Sequence, residues 1–340
     1  MVQASRPASR TQLQDREAGC SPPDRFAVTV RAVEGLREIE VVAVAEAKRT
    51  LKSARIIVLF LLFAMFTGLV TLVLGLIASQ VQAQTATLTE DGGEQARQMM
   101  EAARSGILGL FFDWDRDFID ALKEVPLTIL LVLRVVLFFL PFYVAVMAFD
   151  GVSGEIGPRS IRYLTVRSRR SSVLVGKFIS NALLLTGLVG VITLAVFVFG
   201  GLSSKGEGFA FGTLATWFGR FWIAAVLYSL AWLALTTTCS ALFRTPVLSL
   251  VFNFFALFFL WLVDRIGSAF VERAIGPDNL PGPEETTSFL AHLRWLTPSH
   301  WSTGLLHPHA GPFLVSVAVL AGFTLLYLGT AYAVLRARDV

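Results

Sequence analysis

One stretch organises the chain: Asp150-Gly-Val-Ser-Gly-Glu155-Ile-Gly-Pro-Arg159-Ser-Ile-Arg162-Tyr-Leu-Thr-Val-Arg167-Ser-Arg169-Arg170-Ser-Ser-Val-Leu-Val-Gly176-Lys177. It holds six Lys/Arg residues and lies between two apolar runs, Pro126–Phe149 and Phe178–Gly201. About 20 apolar residues in a helix cross a hydrocarbon core of roughly 30 Å. A short connection this rich in Lys and Arg is held on the cytoplasmic side. The reading is therefore span, inner basic loop, span.

Working outward, four further runs reach the same length: Ile56–Ala78, Gly219–Phe243, Val247–Ile266 and Pro312–Leu335. The chain has 340 residues, of which 54% are hydrophobic and 16% charged. Soluble domains carry about 25% charge. The sequence thus predicts an all-α integral membrane protein with six transmembrane helices between 56 and 335. Only Arg244-Thr-Pro246 separates the fourth and fifth runs, a tight hairpin turned by proline.

Cations set the orientation. With both termini inside, inner segments hold 19 of 29 Lys/Arg and outer loops hold seven. Reversing the topology inverts that bias, so both termini are expected in the cytoplasm. The net charge of +4 is the same signal, with attraction to anionic lipid, and calls for no nucleic acid. Cys20 precedes the first span on the cytoplasmic side and Cys239 lies inside the fourth, so they are not expected to pair. Residues 1–32 are read as a disordered cytoplasmic tail, rich in Ser, Pro and Arg at its start and lacking a signal-peptide core.

Val33–Arg55 places Ile39, Val42, Ala43, Ala47 and Leu51 at helical spacing among charged residues. An interfacial helix at the inner surface is one reading, and a solvated helix carrying orienting charge is the other. The outer connection Ser79–Val125 contains nine of the 25 acidic groups. There Phe111, Trp114, Phe118 and Leu122 step by three or four, as in a short helix at the outer interface. Asp113, Asp115, Asp117 and Asp120 lack the central glycine and closing glutamate of a calcium loop and read as a solvated acidic face.

Catalytic signals are absent. Gly176-Lys177 resembles the end of a phosphate-binding loop, but Ser171 and Phe178 stand where glycine and a hydroxyl residue are needed. No nucleotide site and no cofactor are expected in this chain. His292, His300, His307 and His309 share one outer loop, with no Cys or Met beside them and Pro308 splitting the last pair; no metal is assigned. Arg134 is a charge deep in the second span. A central Arg costs about 2.5–3.5 kcal/mol, and sixteen Leu/Ile/Phe/Val residues in that span offset it. It either faces a polar interior, near Asp264 or an anionic substrate, or snorkels to the outer interface. Asn253, Thr236–Ser240, Gly187 and Gly190 fit helix packing better than a transport path.

The 150–177 spacing carries a resemblance. An acidic residue ends a span, Gly154-Glu155 follows, then a Leu-rich turn, an Arg-Ser pair, and Gly176-Lys177 opens the next span. Leu296-Thr-Pro298-Ser-His-Trp301 is similar to the Leu-x-Pro plus aromatic signature before the last span of the same family. Together they resemble the ABC-2-type permeases, most closely the branch named for multicopper-enzyme maturation, over about 285 residues from near Arg55. The resemblance implies one transmembrane domain over 33–340, whose helix 33–55 is an interfacial elbow. It implies an exporter subunit driven by two copies of a separate ATPase, beside a second permease chain, identical or not, in the lipid bilayer of the inner membrane. It makes Asp150, Glu155, Arg162, Arg169, Gly176 and Lys177 an ATPase-coupling loop. Arg134, Asn253 and Asp264, polar groups within spans, are read from the residues themselves as candidate pathway or interior polar groups. A non-transport scaffold of a secretion or motility complex, and a multispan membrane enzyme, are the alternative classes.

Overall fold

The computed structural model describes residues 25–54, 56–77, 125–156, 170–203, 211–274 and 292–337, with single positions 80 and 122. Among them the elements are helical and no strand occurs. Helix α1 is Arg25–Leu51 and α2 is Ile56–Ile77. Helix α3 is Leu127–Ala148, followed by the one-turn α4, Ser153–Ile156. Then come α5, Arg170–Ser203; α6, Phe211–Leu242; and α7, Pro246–Ala274. A 3-10 turn at Leu293–Leu296, the short α8 at Trp301–Gly304 and α9, Ala310–Ala337, complete the order. Six of these helices are long and apolar enough to cross a membrane, and each contains one of the six expected spans or nearly all of it. The protein is an all-α multi-pass membrane protein.

Helix α6 is the hub, packing against α3, α5, α7 and α9. Every residue from Ala231 to Ala241 is buried, and a helix apolar all round belongs at the centre of its bundle. By contrast, α2, α7 and α9 leave most of their apolar side chains exposed, as membrane spans do. Helix α2 is held through Phe63 on Tyr143 and Phe66 on Phe139. Pro141 sits buried inside α3 without ending it, as prolines within membrane helices can.

In lipid no hydrophobic force drives helices together, so small and polar groups do the joining. The Thr236–Ser240 segment shows this residue by residue. Asn253 is fully buried and its amide donates to Thr236 Oγ1 at 3.0 Å, joining α7 to α6. Thr238 Oγ1 reaches Tyr327 O of α9 at 2.7 Å. Gly190 admits the Trp222 indole, whose Nε1 donates to Thr186 O at 3.2 Å. Gly187, expected to act likewise, has no atom within 4 Å of a Cβ position and lies on an exposed face.

Helix α5 begins at Arg170, earlier than hydropathy places it, so Gly176 and Lys177 lie inside a helix rather than opening one. The segment 170–177 is too polar to read as a span. Contact with α1 stabilises its helical turns. Helix α1 likewise starts within the segment read as tail. Pro246 is the first residue of α7, where its missing N–H costs nothing. The proposed outer helix around Phe111–Phe118, Cys20, Arg159, Arg162, Arg169 and Pro277–Pro283 lie outside the described residues.

Candidate functional site

The described parts of the basic stretch 150–177 lie at one end of the bundle. Val152, Leu174, Ala241, Ala331 and Leu335 cluster there, so α4, the start of α5, the end of α6 and the end of α9 meet. These are the segments that the cation count assigns to one side.

The turn after α3 is fixed by its neighbours. Ser240 Oγ, at the end of α6, accepts the backbone N–H groups of Val152 and Ser153, both at 3.0 Å. Those donors belong to the start of α4, which has no earlier turn to receive them. Ser249 of α7 donates to Phe149 O at 3.0 Å. The turn is thereby tied to both arms of the α6–α7 hairpin.

Lys177 lies at the centre of the site. It is 5% exposed, yet its Nζ stands 2.6 Å from Glu155 Oε1 and donates to Gly151 O at 2.7 Å. Glu46 Oε1 of α1 lies 3.7 Å away. Arg49 of α1 reaches Glu155 at 3.6 Å and Glu46 at 3.9 Å. A buried ammonium persists only when paired, and here two carboxylates and a carbonyl meet that need. Three elements distant in sequence, α1, α4 and α5, therefore close on one ion cluster.

Gly176 makes the approach possible. A Cβ there would lie 2.8 Å from Val42 Cγ1 and 3.2 Å from Ile39 O. The α1 backbone thus crosses α5 at the glycine, placing Glu46 beside Lys177. Ser172 Oγ donates to Glu38 Oε2 at 3.2 Å, a second tie between the same helices. Beside the cluster a polar cleft of about 250 Å³ is lined by Asp150, Gly154, Asn181, Thr50 and Ser53 among others.

Of the loop residues singled out from sequence, Asp150, Glu155, Gly176 and Lys177 come together here, while Arg162 and Arg169 lie outside the described residues. The partners expected for Glu155, Arg159 and Arg162, are also outside; within the described chain it pairs with Lys177 and Arg49. Sequence reading missed Glu46, Arg49, Ser240 and Ser249. Charged positions on an amphipathic helix and hydroxyls near span ends were the available signals, and neither names a partner.

Arg134, Asp264 and Asn253 divide. Asn253 joins helices. Arg134 and Asp264 line one cleft of about 440 Å³ with Tyr228, Trp261 and Arg265. Thr297, from the Leu-x-Pro segment, donates its hydroxyl to Asp264 Oδ1 at 3.1 Å. Trp301 Nε1 closes that segment onto Trp295 O at 3.0 Å. His300 is pushed down to about 4 by burial and by the Arg294 guanidinium, so its ring is neutral at ordinary pH. Among the described residues, no group of three or more His, Cys, Asp or Glu is placed to hold a metal.

The family model for ABC-2 family transporter proteins matches residues 41–340, nearly all of the chain. The chain belongs to the ABC-2 transporter family. Its members are membrane subunits rather than enzymes, and work generally with an ATPase subunit. No curated protein matches the chain.

Proposed function

We propose that this ABC-2 protein is the permease subunit of an ATP-driven exporter, powered by a separate ATPase that docks on the inner-end surface formed by 150–177 and α1. The observation that carries this reading is the Lys177 cluster. Glu46, Arg49, Gly151 and Glu155 bind the amphipathic helix, the turn and the third span into one unit, which Ser240 and Ser249 extend into α6 and α7. A force on that surface reaches four spans through packed contacts and hydrogen bonds. Such coupling requires an element with different contacts in two states, and the short α4, held by a salt bridge, is the element to which this reading assigns that change.

The working unit is two permease chains with two ATPase copies. It sits in the inner membrane with both termini cytoplasmic, as the cation bias requires. The 150–177 spacing favours the multicopper-enzyme-maturation branch. Asp150, Glu155, Arg162, Arg169, Gly176 and Lys177 form the coupling region.

The test is purification of the full chain from its native membrane, identification of the bound proteins, and measurement of ATP hydrolysis. An ATPase is expected to co-purify, and Glu155→Ala is expected to weaken its association or its coupled turnover. A preparation with extracytoplasmic partners and no ATPase supports a scaffold instead. Turnover by the isolated chain supports an enzyme.

A further inference from the structure

We propose that the outward face of α1 binds the anionic phospholipid headgroups of the inner leaflet, through Arg37, Lys48 and Lys52 set among Val41, Val44 and Leu51. The inference goes beyond the permease reading and does not rest on it. It needs only α1 lying along the membrane surface, and two points on the helix fix that.

At its end, Ser53 N donates to Thr50 O at 3.0 Å and Ile56 N to Ser53 O at 3.1 Å. These bonds fold the connection tightly, so Leu51 stands at the entry of the span α2. Nearer its middle, Val42 packs on Gly176 of α5, just ahead of the apolar run that begins at Phe178. From Val42 to Leu51 the helix rises about 14 Å. Helices α2 and α5 are the first and third spans, and alternate spans enter the bilayer from the same side. Both points therefore lie at one membrane surface, the inner one by the cation count, and the axis between them runs along it.

The two sides of α1 differ in chemistry. Towards α5, Glu46 stands beside Lys177 and Glu38 accepts the Ser172 hydroxyl. Turned away, Arg37, Val41, Val44, Lys48, Leu51 and Lys52 are all exposed. At 3.6 residues per turn these six fall within an arc of about 100°. Cations and apolar side chains alternate along that arc, and no described carboxylate falls within it, although Glu40 stands at its edge. A helix facing only water gains nothing from aligned, exposed Val and Leu. One facing only hydrocarbon would not carry Arg and Lys. The headgroup layer suits both: Val41, Val44 and Leu51 enter the acyl boundary while the long cationic stems reach up to phosphates. A zwitterionic headgroup brings its own cation, so the complementary surface is an anionic one. Arg49 belongs elsewhere, paired with Glu46 and Glu155 at the Lys177 cluster.

The experiment uses the purified full chain in phosphatidylcholine nanodiscs, with phosphatidylglycerol or phosphatidylcholine photoactivatable near the headgroup as probe. Crosslinks are mapped by digestion. Preferential labelling of 37–52 by the anionic probe is expected. Lys48→Gln is expected to lower that preference about fivefold, and Lys52→Gln by a similar factor, as the attraction of one basic side chain to an anionic surface implies. Raising the salt is expected to erase the preference in the unaltered chain, which keeps the test decisive should the lysine variants insert wrongly. Equal labelling by both probes overturns the proposal, as does a preference that neither salt nor either substitution changes. Labelling of 37–52 by neither probe also overturns it. In that case, loss of a co-purifying ATPase in Lys48→Gln assigns the face to the ATPase instead. A preference for the anionic probe in a chain that recruits no ATPase keeps the lipid site and removes the exporter role.

Discussion

Removing the charge of Lys177 tests the inner cluster most directly. Lys177→Met keeps the length and apolar stem but deletes an ammonium 2.6 Å from Glu155 and bonded to Gly151 O. Breaking one partner of a buried pair costs about 3–5 kcal/mol, because the other charge is left without its counterion. Here Arg49 remains 3.6 Å from Glu155 and 3.9 Å from Glu46, and recovers part of that loss. About 2–3 kcal/mol is the expected net cost. Arg49 is 73% exposed at its side chain, and exposed pairs contribute about 0–1 kcal/mol, so Arg49→Ala is expected to fall in that range. Glu155→Gln with Lys177→Met completes a double-mutant cycle, whose coupling energy is expected at about 1–3 kcal/mol. The assay is reversible unfolding of purified protein in mixed micelles, followed by a probe of helix α1 docking. Equal costs for Arg49→Ala and Lys177→Met, or a coupling energy near zero, would refute the view that the buried ammonium holds these helices together.

Further outcomes follow from the same geometry. Gly176→Leu is expected to push α1 from α5, since even a Cβ meets Val42 at 2.8 Å. The cost is about 1–3 kcal/mol, read in the same unfolding assay, with faster proteolysis of α1. Asn253→Ala is expected to cost about 0.6 kcal/mol, the usual size of an interhelical hydrogen bond in lipid, and to leave export unchanged; a transport defect without a stability loss would place Asn253 on the path. Cysteine at position 205 is expected to react with an impermeant reagent in intact cells, and at position 168 only after permeabilisation; labelling at 168 in intact cells overturns the orientation. His300 binds its proton at about pH 4 when folded and near 6.5 when unfolded. Between those values the unfolded state holds more protons, so stability falls as pH drops through that window. His300→Gln is expected to flatten the dependence, measured as midpoint against pH.

The spans were legible because burial in lipid needs only length and apolarity, and both are written in local sequence. Their ends were less so. Helix α5 continues through Arg170–Lys177, where hydropathy fails because that turn lies against α1 rather than in hydrocarbon. Gly176 and Lys177 were visible as a pair, but not the reason for it. Glu46 and Val42 sit in another helix, and only the crossing shows that glycine makes room while lysine fills the charge. Arg134 and Asp264 were each conspicuous as intramembrane charges; that both line one cleft depends on helix rotation, which apolar runs do not encode.

The clasp of Ser240 on α4 has a practical consequence for protein engineering. Two backbone donors of that turn end on a hydroxyl far away in the chain, and its carboxylate ends on a lysine backed by the first helix. Chimeras that graft 150–156 alone from one permease into another would therefore arrive with orphaned amides and a mismatched acid. The smallest portable unit is discontinuous: the turn, the first turns of α5, Glu46 and Arg49, and the serines at the facing ends of α6 and α7. A transplant meant to recruit a different motor has to carry all four pieces together.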